Sequence, residues 1–193
     1  MYKRQDLHND WVQSIPHVLV DPPDAYPDGQ TASRTLELAR ASGLLLVEDS
    51  DVFHPLRNTL AGAVVDAGVP AYTIEAGGAY AVVEEGVAAG TDAVLATLRS
   101  MEMIDWFAAA EPAATAEPLR YTNRPLCSTS GLIRFDVRPG QKIREGQRLA
   151  EVFSAFGSRE ESLLATSHGF VLGLEDHARV LPGREVIAIA EEH

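Results

Sequence analysis

The stretch Pro70-Ala71-Tyr72-Thr73-Ile74-Glu75-Ala76-Gly77-Gly78 decides how this chain is read. Pro70 to Ile74 is a short run of apolar and β-prone residues, the composition of a buried strand. It delivers Glu75 into a glycine-rich turn, where the backbone is free to change direction. On both sides the pattern becomes helical. Upstream, a helix is expected from about Pro55 to Ala67, with Asp49, Ser50 or Asp51 as candidate caps and Gly68 as its stop. Downstream, helical spacing runs from Val82 to Met103, with Gly86 and Gly90 as interruptions. Leu44 to Val47 reads as a second buried strand, preceded by a helix over Thr31 to Ala41 that carries Leu36 and Ala39 on one face. Short apolar strands alternating with amphipathic helices predict an α/β sheet with parallel pairs. In such sheets ligands bind at the carboxyl ends of the strands, and Glu75 stands at one of those ends.

Nearer the amino terminus, Asp6-Leu7-His8-Asn9 places a histidine at the end of a strand-like segment. Alternation along a strand puts Asp6 and His8 on the same side. Neutral imidazole is a common zinc ligand, and a carboxylate beside it can fix its tautomer. Taken alone, a lone histidine is more often a surface or core residue than a ligand, and a strand-end glutamate more often faces solvent. Ile15-Pro16-His17-Val18-Leu19-Val20-Asp21 follows as an apolar run bounded by prolines. His17 either lines a cleft or belongs to a loop, the loop being the commoner case. His54, at a helix start, is a candidate for a substrate carboxylate or an oxyanion. The leader Met1 to Gln5 holds Lys3, one of two lysines with Lys142. It reads as a foreign segment or as a short basic start.

Residues 108–118 (AAAEPAATAEP) are small and proline-punctuated, as in linkers between domains. Beyond them the pattern is β throughout. Ser130-Gly131-Leu132-Ile133, followed by Ile143 to Leu149, is echoed by His168-Gly169-Phe170-Val171, followed by Val180 to Val186. Two such copies suggest interlocked β halves, a layout that resembles the barrel-sandwich of biotinyl and lipoyl domains. A carrier of that kind needs a lysine at its hairpin tip, and Val152 to Leu163 contains none. The module is therefore read as structural or substrate-shaping, and as the more autonomous part of the chain.

The 193 residues carry a net charge of −12, which argues against nucleic acid and anionic membranes as partners. Cys127 is the single cysteine, so neither a disulfide framework nor a thiolate metal cluster is available. No apolar run approaches the roughly 20 residues that span a bilayer. A cytoplasmic setting is the default, and a homo-oligomer stays open.

In order along the chain stand Asp-Leu-His-Asn, a proline-bounded segment, two helices, a strand ending in Thr-Ile-Glu-x-Gly, and a β module. This order resembles the succinylglutamate desuccinylase/aspartoacylase family, relatives of the zinc carboxypeptidases that cleave acyl groups from amino acids. The resemblance implies part of a zinc-carboxypeptidase-like α/β domain over residues 6–107 and a small all-β barrel-sandwich module over 119–193. It also implies that His8 is a zinc ligand, that Glu75 is the general acid/base, and that Asp6 supports His8. Asn9, His17 and His54 are candidates to line the substrate pocket. The expected substrate is an N-acyl amino acid or a related small amide, and the expected cofactor is one zinc ion. The family's first two zinc ligands come from an upstream His-x-x-Glu element, and no His-x-x-Glu occurs in this sequence. The chain is therefore expected to be amino-terminally truncated, to bind zinc poorly and to be inactive, with the complete protein a deacylase. A carboxypeptidase-like peptidase, and a non-catalytic protein that binds a partner through its β module, are the alternatives.

Overall fold

The computed structural model describes residues 4–49, 59–108, 117–175 and 178–192. Strands β1 (Arg4–His8), β2 (Gln13–Ser14) and β3 (His17–Val20) lead into helix α1 (Gly29–Ala41). They are followed by β4 (Leu45–Glu48), α2 (Leu60–Asp66), β5 (Ala71–Glu75) and α3 (Glu84–Ser100). Strand β6 (Leu119–Thr122) opens the second half, which continues with β7 (Gly131–Phe135), β8 (Lys142–Ile143) and β9 (Arg148–Phe153). It ends with β10 (Arg159–Leu164), β11 (Gly169–Leu174), β12 (Arg179–Val180) and β13 (Ile187–Glu191). No helix follows α3 among the described residues. None of the described helices is long and apolar enough to cross a membrane.

The expected helices form where capping and burial favour them. Asp28 caps α1, its carboxylate accepting from the Thr31 backbone N–H at 2.8 Å and from the Thr31 hydroxyl at 3.1 Å. Leu38 and Ala39 turn inward from α1, while Leu36 is only partly buried. Helix α3 runs unbroken through Gly86 and Gly90. A side chain at 86 would put its Cβ 2.4 Å from the Ala76 carbonyl, so the glycine lets the helix lie against the Glu75 turn. His54 and the first residues of the helix expected over 55–67 lie outside the described residues, as does most of the segment 108–118.

The main sheet has nine strands in the order β1-β5-β3-β4-β6-β13-β11-β2, with β8 also paired to β11. The expected parallel pairs are present as β1–β5, β3–β4 and β4–β6. The sheet is nevertheless mixed. The chain reverses between β1 and β3, so β5, inserted between them, runs parallel to β1 and antiparallel to β3. Strand β6 then carries the sheet onward, pairing parallel with β4 on one side and antiparallel with β13 on the other.

Alternation along these strands divides the core. Val18, Val20, Leu46, Tyr72 and Ile74 face α1 and α3 and pack with Leu38, Ala39 and Ala93. Each large apolar side chain fully buried there contributes about 1.5–3 kcal/mol relative to exposure. The opposite face carries His17, Leu19, Thr73 and Glu75. Leu19 and Trp11 pack against the cluster of Val47, Leu119, Leu172 and Ala188, which brings the second half of the chain beside the strand ends. The other β layer is four-stranded, β10-β9-β7-β12. Ile143, Leu149, Val152, Val171, Val180, Ile187 and Ile189 fill a shared core with both sheets. The two copies of the sequence repeat open β7 and β11, one in each sheet.

Candidate functional site

Glu75 ends β5 with His8 directly opposite on β1 and His17 directly opposite on β3. Cross-strand partners share a face of the sheet, so the three side chains stand in one row. The His8 Nδ1 lies 3.3 Å from Glu75 Oε1. The backbone beyond them is tied in the same way. Ala76 N–H donates to the His8 carbonyl at 2.8 Å, and Ala79 N–H donates to the Trp11 carbonyl at 2.7 Å. The turn after Glu75 and the segment after His8 therefore hold each other.

The two side chains differ in exposure. The His8 side chain is 66% exposed and that of Glu75 is 4% exposed. Burial pushes the Glu75 carboxyl up to about 7, and the negative charges of Asp10 and Asp6 add to the rise, while His8 opposes it. Glu75 is thus poised to hold or release a proton near neutrality. Its second oxygen, Oε2, is buried and has no hydrogen-bond partner among the described residues. Asp6 lies opposite Thr73 on the same strand face as His8. The carboxylate against the His8 imidazole is that of Glu75.

His17 is not a loop residue. It opens β3, which lies between β5 and β4 inside the sheet, and it is fully buried. Its Nδ1 is 2.9 Å from the Ile15 carbonyl oxygen. Burial pushes its pKa down to about 4, so the ring is neutral at physiological pH. Asn9 is exposed and borders a small cavity with Ala76, Gly78 and Val82.

Beside this row opens a cleft of about 530 Å³ walled by Asp10, Trp11, Tyr80, Tyr121, Arg184 and Glu185 among others. Trp11 Nε1–H donates to the Tyr121 hydroxyl at 3.2 Å. Trp11 has φ 56°, a left-handed conformation that is uncommon for a bulky residue and has to be held by its surroundings. Gly173 on β11 allows it, since a Cβ there would sit 2.7 Å from Trp11 Cγ. Burial raises the Tyr121 phenol well above its ordinary range, so it remains a hydroxyl. Sequence reading passed over Asp10, Trp11 and Tyr121. Their one signal was a tryptophan three residues after His8, in a chain that has only two.

A catalytic zinc site takes three protein ligands as a rule. Among the described residues no group of three His, Cys, Asp or Glu side chains could hold a metal ion. His8 offers one imidazole, and its Nδ1 is already faced by Glu75. The residues described here therefore do not fit a complete zinc site.

No protein-family model and no curated protein matches the sequence. Solved structures do. The chain is similar to a succinylglutamate desuccinylase/aspartoacylase from Rhodobacter sphaeroides, at TM-score 0.78 and 21% identity over 98% of this chain and 58% of that one. It is similar to the product-bound ectoine utilization protein EutE (DoeB) from Ruegeria pomeroyi, at TM-score 0.74 and 16% identity over 97% of this chain and 57% of that one. An aspartoacylase family protein from Mesorhizobium loti matches at TM-score 0.74 and 14% identity, over 98% of this chain and 56% of that one. The chain thus spans somewhat more than half the length of the structures it resembles. Over nearly all of its own length, this chain has the fold of the succinylglutamate desuccinylase/aspartoacylase family.

Proposed function

We propose that this chain contributes the acid/base carboxylate of a hydrolase that removes the acyl group from an N-acyl amino acid or a related small amide. The observation that supports it is Glu75: a buried carboxyl at a strand end, raised to about 7, with one oxygen on His8 and the other unpaired. A group tuned close to the working pH is the best compromise between holding a proton and giving it up. Water attacks the amide carbonyl carbon while Glu75 takes one of its protons. The carbon–nitrogen bond then breaks, and Glu75 returns that proton to the departing amine. Similarity in fold to structures named as desuccinylase and aspartoacylase supports the choice of reaction. Trp11 and Tyr121 would wall off the acyl or amine group on the side of the cleft formed by the second half of the chain.

Zinc enters this reading through His8 alone. The imidazole would be one ligand, and further ligands would come from residues other than those described. Metal analysis of this chain by itself should then find well under one zinc per chain, and a full equivalent would overturn that part of the reading. A cytoplasmic setting belongs to the same proposal. The deciding assay compares N-acetyl and N-succinyl amino acids with short peptides, in the polypeptide where the chain naturally occurs. Release of free amino acid, lowered about 10²–10⁴-fold by Glu75→Gln, is the expected result. Cleavage of peptides alone would point to a peptidase instead, and full activity in Glu75→Gln would remove Glu75 from the chemistry.

A further inference from the structure

The row across the sheet holds a second histidine that the proposed reaction does not use. His8 and His17 flank Glu75 from opposite sides, in the same register. The His8 side chain is largely exposed, while His17 is fully buried. The Ile15 carbonyl fixes the His17 tautomer. A carbonyl oxygen only accepts, so Nδ1 at 2.9 Å carries the proton and donates it. In the neutral ring Nε2 is then a bare lone pair, and it is buried without a partner among the described residues.

Two further atoms on this face of the sheet share that condition. Glu75 Oε2 is buried and unpaired, and so is the hydroxyl of Thr73, two residues earlier on β5. Residues two apart on a strand point the same way, and His17 faces Glu75 directly and Thr73 diagonally. Three of the four unpaired buried side-chain atoms of the described residues thus fall on one patch beside the candidate catalytic carboxyl. Nε2 and an ionised Oε2 are both acceptors and cannot satisfy each other. A molecule with two donor hydrogens and an acceptor can satisfy both, together with the Thr73 hydroxyl. A buried water commonly makes about three such bonds.

We propose that His17 Nε2, Thr73 Oγ1 and Glu75 Oε2 form a buried water site, and that through this water His17 and Thr73 are positioning residues for Glu75. With Glu75 ionised, the water donates one hydrogen to Oε2 and the other to Nε2 and accepts from Thr73. With Glu75 protonated, the proton sits on Oε1 at the open side of the carboxyl, and the water still donates to Oε2 and to Nε2. In both states Oε2 stays turned into the sheet and Oε1 stays turned to His8. The charged groups that bear on Glu75 from neighbouring elements are His8 and Asp6 on β1 and Asp10 in the following segment. None of these reaches it from the β3 side. The role assigned to this water rests on the acid/base reading of Glu75, but its existence does not.

The test is nitrogen-15 NMR of the histidine rings in metal-free protein, for the wild type, Thr73→Val and Glu75→Ala. His17 should be neutral with its proton on Nδ1 between pH 6 and 8, and should show a cross-relaxation signal to a long-lived water. Its Nε2 resonance should move in both variants, since each removes one partner of that water. A proton on Nε2, or an Nε2 resonance identical in all three proteins, would overturn the proposal. As a check on the positioning role, the Glu75 carboxyl carbon resonance is followed at one fixed pH in Thr73→Val and His17→Leu. Loss of the single sharp line, as the carboxyl takes up more than one orientation, is expected in both, with His17→Gln restoring part of it, and an unchanged line in both variants would refute the role. Thr73→Val and Glu75→Ala leave His17 in place, so the result stands even if the His17 variants fail to fold. Because no readout needs turnover, these NMR signatures together with no deacylase activity in the polypeptide where the chain naturally occurs would sink the deacylase reading and leave the water site standing.

Discussion

Lowering the pH from 7 to 5 should cost the folded chain about 2 kcal/mol through His17 alone. The buried imidazole is held near 4, against 6.5 for a free one. That gap of about 2.5 pH units is worth about 3.4 kcal/mol in full, of which about 2 falls between pH 7 and 5. The sign follows from which state takes the proton. The folded ring stays neutral while the unfolded ring protonates, so acid favours the unfolded chain. Stability from this group is complete above 6.5 and drains away as pH falls toward 4. His17→Leu removes the effect without stranding the Ile15 carbonyl, which also accepts from the Ser14 hydroxyl at 3.1 Å. Urea unfolding of both proteins at the two pH values, followed by tryptophan fluorescence, gives the comparison. Glu75 titrates in both, so subtraction removes most of its contribution. The variant should gain about 2 kcal/mol on the wild type between pH 7 and pH 5. Parallel pH dependence in the two proteins would refute the reasoning, because it would mean that His17 protonates as easily folded as unfolded.

Glu75 acts in the opposite sense. Its carboxyl is raised from 4.5 to about 7, so its contribution is complete below 4.5 and is lost as pH rises through 7. Glu75→Gln should abolish that loss, gaining about 2 kcal/mol on the wild type from pH 5 to pH 7 in the same urea assay. Glu161 accepts from the backbone N–H and hydroxyl of both Ser128 and Thr129, which holds its carboxyl below the ordinary range. Glu161→Gln should destabilise the chain by about 1–2 kcal/mol at pH 7, seen as a lower Tm, and the difference should shrink as the wild-type carboxylate is protonated in acid. Gly173→Ala drives a methyl group to 2.7 Å from Trp11 Cγ and 3.0 Å from the Gln13 carbonyl. It should cost about 1–3 kcal/mol and shift Trp11 fluorescence as the contact with Tyr121 opens; unchanged emission would show that Gly173 does not hold the tryptophan.

What could be read from the sequence was local. Periodicity marked α1 and α3, and the run into the glycines marked Glu75 as a strand end, because each depends on neighbours a few residues away. The face expected to carry Leu36 and Ala39 does pack on the core, but it is Leu38 and Ala39 that are fully buried and Leu36 that sits at the edge, since the helix phase is set by what it packs against. His17 was hidden for a different reason. A histidine after a proline looks like a loop residue until its strand is known to lie between two others, and no local signal says that β5 inserts between β1 and β3. Trp11 and Tyr121 meet across 110 residues, and the pairing of β6 with β4 and β13 is equally remote. Asp10 reaches Glu75 only through the field of its charge, which no motif records.

The two-residue strand β2 sets an order of events. Gln13 pairs with Leu174 and Ser14 with Gly173, and Ile15 N–H donates to the Leu172 carbonyl at 3.0 Å. Residues at the start of the chain are thus closed against a strand made roughly 160 residues later. During synthesis the wall beside His8 and Glu75 cannot form until β11 has left the ribosome, and such long-range closure is intrinsically slow. In the finished protein the Ile15 amide should exchange with deuterium only when β11 opens. Its protection near the amino terminus would therefore report on the far end of the molecule.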